Sequence, residues 1–107
     1  MAESDSEHAG LLRSEYLSQT ARMRWRDLQT WYARGSVISV DGSLNLVEVA
    51  VQLGLDNTVQ FEQWISEAEV VPVTDDQAQA WYEINQELWA VVAPPWVLVQ
   101  PSAESAQ

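Results

Sequence analysis

The chain has 107 residues, enough for one domain with one hydrophobic core. Hydrophobic residues make up 47% of it, and this fraction excludes a wholly disordered protein. The formal net charge is -11, and the longest apolar stretch, residues 88–99, is shorter than the about 20 apolar residues that a membrane span needs. We therefore expect no membrane insertion.

The charge is distributed unevenly along the chain. All five basic residues are arginines between Arg13 and Arg34, and the sequence after Arg34 holds eleven acidic residues and no base. Such an acidic body repels nucleic acid and suits a basic protein partner, although solubility alone would also explain it. No basic leader segment precedes the first helix, and cysteine is absent, so we expect a cytoplasmic protein.

The first third of the chain predicts two helices and a strand. Residues 1–8 are predicted as a disordered acidic tail, and residues 9–22 as a first helix. Residues 25–34 have apolar side chains at helical spacing, and Gly35 is placed to end that second helix. The β-branched run of residues 36–40 stops at a turn pair and predicts a strand.

The middle of the chain predicts two further helices. Asn45 is a suitable N-cap for a helix over residues 44–54, with Glu48 placed to complete a capping box. A second helix begins at Asp56 and puts four side chains on one apolar stripe, namely Phe61, Trp64, Ile65 and Ala68. The pair resembles a helix-turn-helix, but its second helix carries acids and no base, which disfavours contact with phosphates.

The last third predicts an edge strand, a helix and two core strands. Pro72 places residues 70–73 at a sheet edge, and Thr74 is predicted to cap a helix to Gln86. That helix is predicted to bury three residues, Ala78, Trp81 and Tyr82. Consecutive apolar residues on both sides of Pro94-Pro95 predict two strands that are covered on both faces.

The elements together predict one small α+β domain over residues 9–101. Their order is α-α-β-α-α-β-α-β-β, with one short sheet shielded by helices. Residues 102–107 are predicted as a disordered tail.

Three blocks resemble a small bacterial family of unknown function, domain of unknown function 2288, found in cyanobacteria and proteobacteria. The blocks are WRDLQTWYARG (25–35), LNLVEVA (44–50) and, most specifically, ELWAVVAPPWVLVQ (87–100). The resemblance supports the domain boundaries. It implies no activity, no cofactor and no residue roles.

The sequence lacks the residues that most catalytic mechanisms require. Without lysine or cysteine there is no Schiff base and no thiolate, and the one histidine, His8, lies in the predicted tail. Asp75 and Asp76 sit in the first turn of a helix, where the macrodipole explains them. We expect a non-catalytic interaction or regulatory domain without cofactor or metal. The alternatives are a degenerate helix-turn-helix protein acting in nucleic-acid regulation and a small carboxylate- or metal-dependent enzyme.

Arg22, Arg24 and Arg26, interleaved with Met23 and Trp25, form the one basic cluster. One account pairs these arginines with the protein's own acids and packs Trp25 in the core. The other makes Arg22, Arg24, Trp25 and Arg26 a protein-binding patch with an exposed indole, because tryptophan beside arginine is typical of interface hot spots.

Overall fold

The computed structural model describes residues 2–101, and the side chains of residues 7–101. The described chain contains five α-helices, namely α1 (Ala2–Gln19), α2 (Gln29–Ala33), α3 (Leu46–Gly54), α4 (Thr58–Ser66) and α5 (Asp75–Ile84). It also contains five strands, namely β1 (Ala21–Arg24), β2 (Val37–Val40), β3 (Val70–Pro72), β4 (Glu87–Ala93) and β5 (Trp96–Pro101). A short 3₁₀ helix, Trp25–Leu28, connects β1 to α2.

All five strands form one sheet in the order β1-β4-β5-β2-β3. The β2–β5 pair is parallel and the other three pairs are antiparallel. The predicted α+β fold is thereby confirmed, and β3 lies at a sheet edge as Pro72 predicts. None of the helices in the described part of the chain combines the length and apolar character needed to cross a membrane.

Helices cover both faces of the sheet, as the consecutive apolar residues of β4 and β5 predict. Along β5, Val97 belongs to the core under the 3₁₀ helix and α5, whereas the next residue, Leu98, belongs to the core under α3. Alternate side chains of a strand point to opposite faces, so these two cores lie on opposite sides of one sheet. The first core is centred on Trp25 and Trp81, and the second on valine and leucine side chains.

The first helix ends earlier than its periodicity predicts, and a strand takes its place. The predicted helix over residues 9–22 was wrong at its end, because β1 begins at Ala21 and pairs antiparallel with β4 from Ala21↔Ala90 to Arg24↔Glu87. The ladder supplies hydrogen bonds to main-chain N–H and C=O groups that would otherwise have bonded within a helix. It also places Met23 against the first core. At its other end α1 begins at Ala2, inside the segment predicted as a tail. The predicted tail over residues 102–107 lies outside the described residues.

The capping predictions hold with two changes of detail. Asn45 accepts hydrogen bonds from the N–H groups of Val47 and Glu48, and Thr74 accepts one from Gln77, so both predicted caps are confirmed. The Glu48 carboxylate binds Arg13 of α1 instead of returning to the cap. The N-cap of α4 is Asn57 and not Asp56, which has a left-handed φ of 57° that closes the end of α3.

Candidate functional site

Trp25 is fully buried, so the prediction that it is an exposed docking residue was wrong. Its relative exposure is 0%, and its ring meets the rings of Tyr32 and Trp81 edge-on, with centroids 5.3 and 5.2 Å away. The competing account is confirmed for the packing of Trp25 in the core. Its pairing of the arginines with acids is shown among the described residues for Arg22 and Glu87. The sequence pattern misled because the residue begins a 3₁₀ helix that leaves an edge strand, and this turn directs the indole under α5.

Two of the three neighbouring arginines bind the end of α5. The Arg26 guanidinium donates to the Tyr82 carbonyl oxygen at 3.0 and 3.1 Å, and it lies 4.9 Å from the Tyr82 ring centroid. Arg24 donates to the Asn85 carbonyl oxygen at 3.4 Å. These carbonyls carry the negative end of the helix dipole, so both arginines stabilise the C-terminus of α5 while keeping their full positive charge. Tyr82 itself is 49% exposed, so its predicted burial was wrong.

Arg22 contacts residues of the neighbouring strand β4. Its guanidinium lies 3.8 Å from a Glu87 oxygen and 4.8 Å from the centroid of the Trp89 ring. Arg22, Arg24 and Arg26 therefore line one edge of the domain, and one of them has a carboxylate of the domain itself as a partner.

A groove between α3 and α4 combines an apolar floor with an acidic rim. Leu53 and Phe61 line it beside Asp56 and Glu62, and its volume is about 150 Å³. The remaining lining residues are polar and uncharged, namely Gln52, Asn57 and Thr58. The spacing of apolar residues predicts Phe61 in a buried stripe, so the sequence does not indicate this groove.

Local hydrogen bonds fix the shape of the groove. The Asn57 side chain accepts from the Gln60 N–H at the start of α4 and donates to the Gln52 side chain at 2.7 Å. The left-handed Asp56 turns the chain between the two helices. The groove is therefore preorganised by main-chain geometry and by a side-chain bond across its end.

Helix α4 is only loosely buried for an apolar helix. It contains no fully buried residue, and Phe61 and Trp64 pack against the second core while remaining partly exposed. Val59 is 76% exposed and Ile65 is 50% exposed. The predicted stripe of Phe61, Trp64, Ile65 and Ala68 is thus only half correct, since its last two members face away from the core. An apolar helix surface with this exposure marks an interaction site more often than isolated exposed residues do.

Helix α1 reaches the end of α3 beside the groove. Leu12 and Tyr16 approach Gly54 so closely that an added Cβ there would lie 3.0 Å from the Leu12 side chain and 3.2 Å from the Tyr16 hydroxyl. The Arg13–Glu48 ion pair joins the same two helices, and the Arg13 hydrogen bond lowers the pKa of the Glu48 carboxyl. Helix α1 therefore holds α3, which forms one wall of the groove, in position.

A second group of acids lies at the loop ends near β3. The Ser43 hydroxyl and N–H both donate to the Asp41 carboxylate and lower its pKa. A hydrogen bond with Glu67 raises the pKa of Glu69, and burial and the charges of Glu67 and Asp41 add to this rise. Within residues 7–101, no three histidine, aspartate or glutamate side chains are grouped so that they could hold a metal ion. This acidic group is explained by turn formation.

Comparison with known families decides the relationship of the chain. A family model described as "Protein of unknown function (DUF2288)" matches residues 11–101. The chain belongs to this family. The match covers the domain from α1 to the end of β5, and it confirms the resemblance carried by the tryptophan-rich terminal block.

A solved structure supports the fold. The solution NMR structure of PA1075 from Pseudomonas aeruginosa is similar to this chain, with a TM-score of 0.77 and 39% sequence identity. The alignment covers 91% of this chain and 90% of that protein. No curated protein matches the chain.

Proposed function

We propose that this domain is a non-catalytic interaction module that binds another protein through the groove between α3 and α4. The observation that carries the proposal is the combination of Leu53 and Phe61 in the floor with Asp56 and Glu62 at the rim. An apolar pocket with a charged border is the arrangement in which interface hot spots bind.

The size of the groove favours a side chain as its occupant. Sites for small molecules and cofactors usually have volumes of about 300–1,000 Å³, whereas this groove has about 150 Å³. One aromatic or branched aliphatic side chain of a partner would cover Leu53 and Phe61. The exposed Val59 on the same helix would extend the apolar contact.

The charge of the rim favours a basic segment. The acids of the rim are Asp56 and Glu62. The sequence contains no arginine or lysine after Arg34. Neither carboxylate of the rim has an ion pair among the described residues. A lysine or arginine beside the anchoring side chain could therefore pair with them, and long-range attraction would speed the encounter. The proposed partner is a protein with an apolar anchor next to a basic residue.

Two other considerations support this choice. Asp41 binds Ser43 in a turn and Glu48 pairs with Arg13, and within the described residues no hydrogen bond joins the Thr58 hydroxyl of the groove to a carboxylate, which supports a non-catalytic role. Helix α4 carries no positive charge, which argues against its use as a recognition helix for DNA. We also propose a cytoplasmic location, with which the cysteine-free sequence agrees.

Selection from a library of random displayed peptides tests the proposal. We expect enrichment of peptides that carry an aromatic or leucine residue next to lysine or arginine, with NMR shift changes at Leu53 and Phe61 on binding. Glu62→Lys should weaken the selected peptides about tenfold, because a rim attraction becomes a repulsion.

Glu83→Lys is the matched control, since Glu83 is an exposed acid on α5, across the sheet from the groove. It makes the same change in net charge and should leave peptide binding within about twofold. Equal effects of the two substitutions, or selected peptides that bind elsewhere, would show that the groove is not the binding site.

A further inference from the structure

The end of α5 carries an exposed aromatic side chain with an arginine stacked on it. Tyr82 is 49% exposed, and the Arg26 guanidinium lies 4.9 Å from the centroid of its ring. The other large apolar side chains that are exposed in the described part of the chain are leucine, isoleucine and valine. Trp31, which also has an arginine near its ring, is half-buried against the first core. Tyr82 is therefore the aromatic residue that is best placed to anchor a contact with another protein.

Arg26 keeps its charge and part of its hydrogen-bonding capacity. Its Nε and Nη2 atoms donate to the Tyr82 carbonyl oxygen at 3.1 and 3.0 Å, and a guanidinium has further N–H donors. Neither of the ion pairs found among the described residues involves Arg26. A carboxylate of another protein can therefore bind Arg26 without displacing an acid of the domain itself.

This surface has the chemistry that the groove between α3 and α4 favours in a partner. The groove favours an apolar anchor next to a base, and Tyr82 with Arg26 supplies both. Leu53 and Phe61 would cover the tyrosine ring, and the acidic rim would pair with the guanidinium. The polar groups that line the rest of the groove would bind the tyrosine hydroxyl, which needs a hydrogen-bond partner when it is buried.

We propose that the groove binds a second copy of this chain, through Tyr82 and Arg26 of that copy. The inference rests on the proposed function of the groove and names its occupant. The groove lies on the side of the second core and α5 on the side of the first, so the two halves of the contact are on opposite sides of each sheet. Such a contact is head-to-tail, and it repeats into rings or chains instead of closing a two-fold dimer.

The local charges favour this contact although the whole chain is acidic. Each copy has a formal net charge of -11, so two copies repel each other at long range. At physiological ionic strength, charges more than about 8 Å apart are largely screened. Arg26 would touch the rim carboxylates directly, so this attraction is screened less than the repulsion between the two acidic bodies.

Sedimentation equilibrium of the full chain at about 0.15 M salt tests the proposal. We expect the average mass to rise above that of one chain between about 10 µM and 1 mM protein. Glu62→Lys and Tyr82→Ala should each weaken the association about tenfold or more, because each removes one half of the contact. Single chains throughout this range would overturn the proposal.

An equimolar mixture of these two variants identifies a head-to-tail contact. Glu62→Lys retains the Tyr82 surface and Tyr82→Ala retains the groove, so one intact contact can form between them. The mixture should give dimers that do not grow further, with the affinity of the unchanged chain, because the two remaining halves are both defective. A mixture that stays as single chains would contradict the proposal.

Arg26→Gln has a matched control in Arg34→Gln, because both arginines are exposed and both lie near an aromatic ring. Arg26→Gln should weaken the association about threefold or more and reduce its salt dependence, whereas Arg34→Gln should leave it unchanged. Equal effects of the two substitutions would reject the proposed contact.

The outcome for the second copy is distinguishable from the outcome for the groove. Selected peptides that bind at Leu53 and Phe61, while the chain alone stays single, would reject the second copy as occupant and leave the proposed function standing. Selected peptides that bind elsewhere would reject the groove as a binding site, and this inference with it.

Discussion

A single indole joins several elements of the first core. Trp25 packs against Leu28 of its own 3₁₀ helix, Tyr32 of α2 and Trp81 of α5, above valine and leucine side chains of the sheet. Edge-on aromatic pairs of this kind stabilise beyond the area that they bury, by about 0.5–1.5 kcal/mol each. The position of Trp25 therefore has consequences for α2 and α5 as well as for β1.

Replacement of Trp25 by alanine is expected to destabilise the domain strongly. The change removes a fully buried ring and leaves a cavity between three elements, which typically costs about 3–5 kcal/mol. Chemical denaturation measures the free energy of unfolding. Val59→Ala, at a position that is 76% exposed, is the control and should change it by less than about 0.5 kcal/mol. A loss below about 1 kcal/mol for Trp25→Ala would contradict the buried position.

At the scale of elements, the end of α5 is the point where the helical layer is tied to the sheet edge. Asn85 has a left-handed φ of 49°, and its side-chain oxygen accepts the Arg26 N–H at 3.1 Å. Arg24 and Arg26 bind carbonyls of the same helix end. One residue thus both ends the helix and positions the segment that follows β1.

Substitution of Asn85 should separate these two contributions. Asn85→Gly loses the bond to Arg26 but keeps the left-handed turn, whereas Asn85→Ala loses both. We expect the alanine variant to be less stable than the glycine variant by about 1 kcal/mol in thermal or chemical unfolding.

Ala68 provides the matched control for this turn, because it has a left-handed φ of 59° after α4. Ala68→Gly relieves the strain without losing a side-chain bond and should stabilise the domain by about 0.5–1 kcal/mol. An Asn85→Ala variant as stable as Asn85→Gly would show that main-chain strain contributes little at this end of α5.

At the scale of the whole molecule, the sign of the charge predicts weak affinity for nucleic acid. Eleven acids and no base follow Arg34, and α4, which would be the recognition helix, carries Glu62 and no arginine or lysine. All five arginines come earlier in the chain and lie in α1, in β1, in the 3₁₀ helix and at the C-cap of α2. A phosphate backbone therefore meets net repulsion from most of the surface.

We expect no detectable association with random duplex DNA at micromolar protein concentration and low salt. Low salt is the stringent condition because it screens charges least. Fluorescence anisotropy of a labelled duplex measures the binding, with a basic DNA-binding domain as the positive control. Salt-sensitive micromolar binding by this protein would contradict the expectation.

Features of the fold that are set by residues close together in sequence could be predicted from the sequence. Asn45, Thr74 and Gly35 act within one turn of chain, and their predicted roles as helix ends agree with the structure. The continuous apolar runs of β4 and β5 likewise predict strands covered on both faces. Such features depend on neighbours in sequence, so they were predictable.

Features that depend on distant partners were not predictable. Strand β1 exists because Ala21–Arg24 pairs with β4, and that ladder overrides helical spacing. The groove arises because α4 packs with its Phe61 side only half covered, which the spacing of apolar residues does not reveal. The burial of Trp25 depends on Trp81, far along the chain.

The order of strands in space has a consequence for synthesis of the protein. The last two strands of the chain, β4 and β5, stand between β1 and the β2–β3 pair. They are synthesised after the other three strands. A nascent chain that ends before Glu87 therefore holds the single strand β1 and the β2–β3 pair without the strands that join them, and both cores lack the apolar residues of β4 and β5. The complete sheet can therefore form only after β5 has been synthesised, and a chain that still lacks β4 and β5 exposes apolar surface of the kind that favours aggregation.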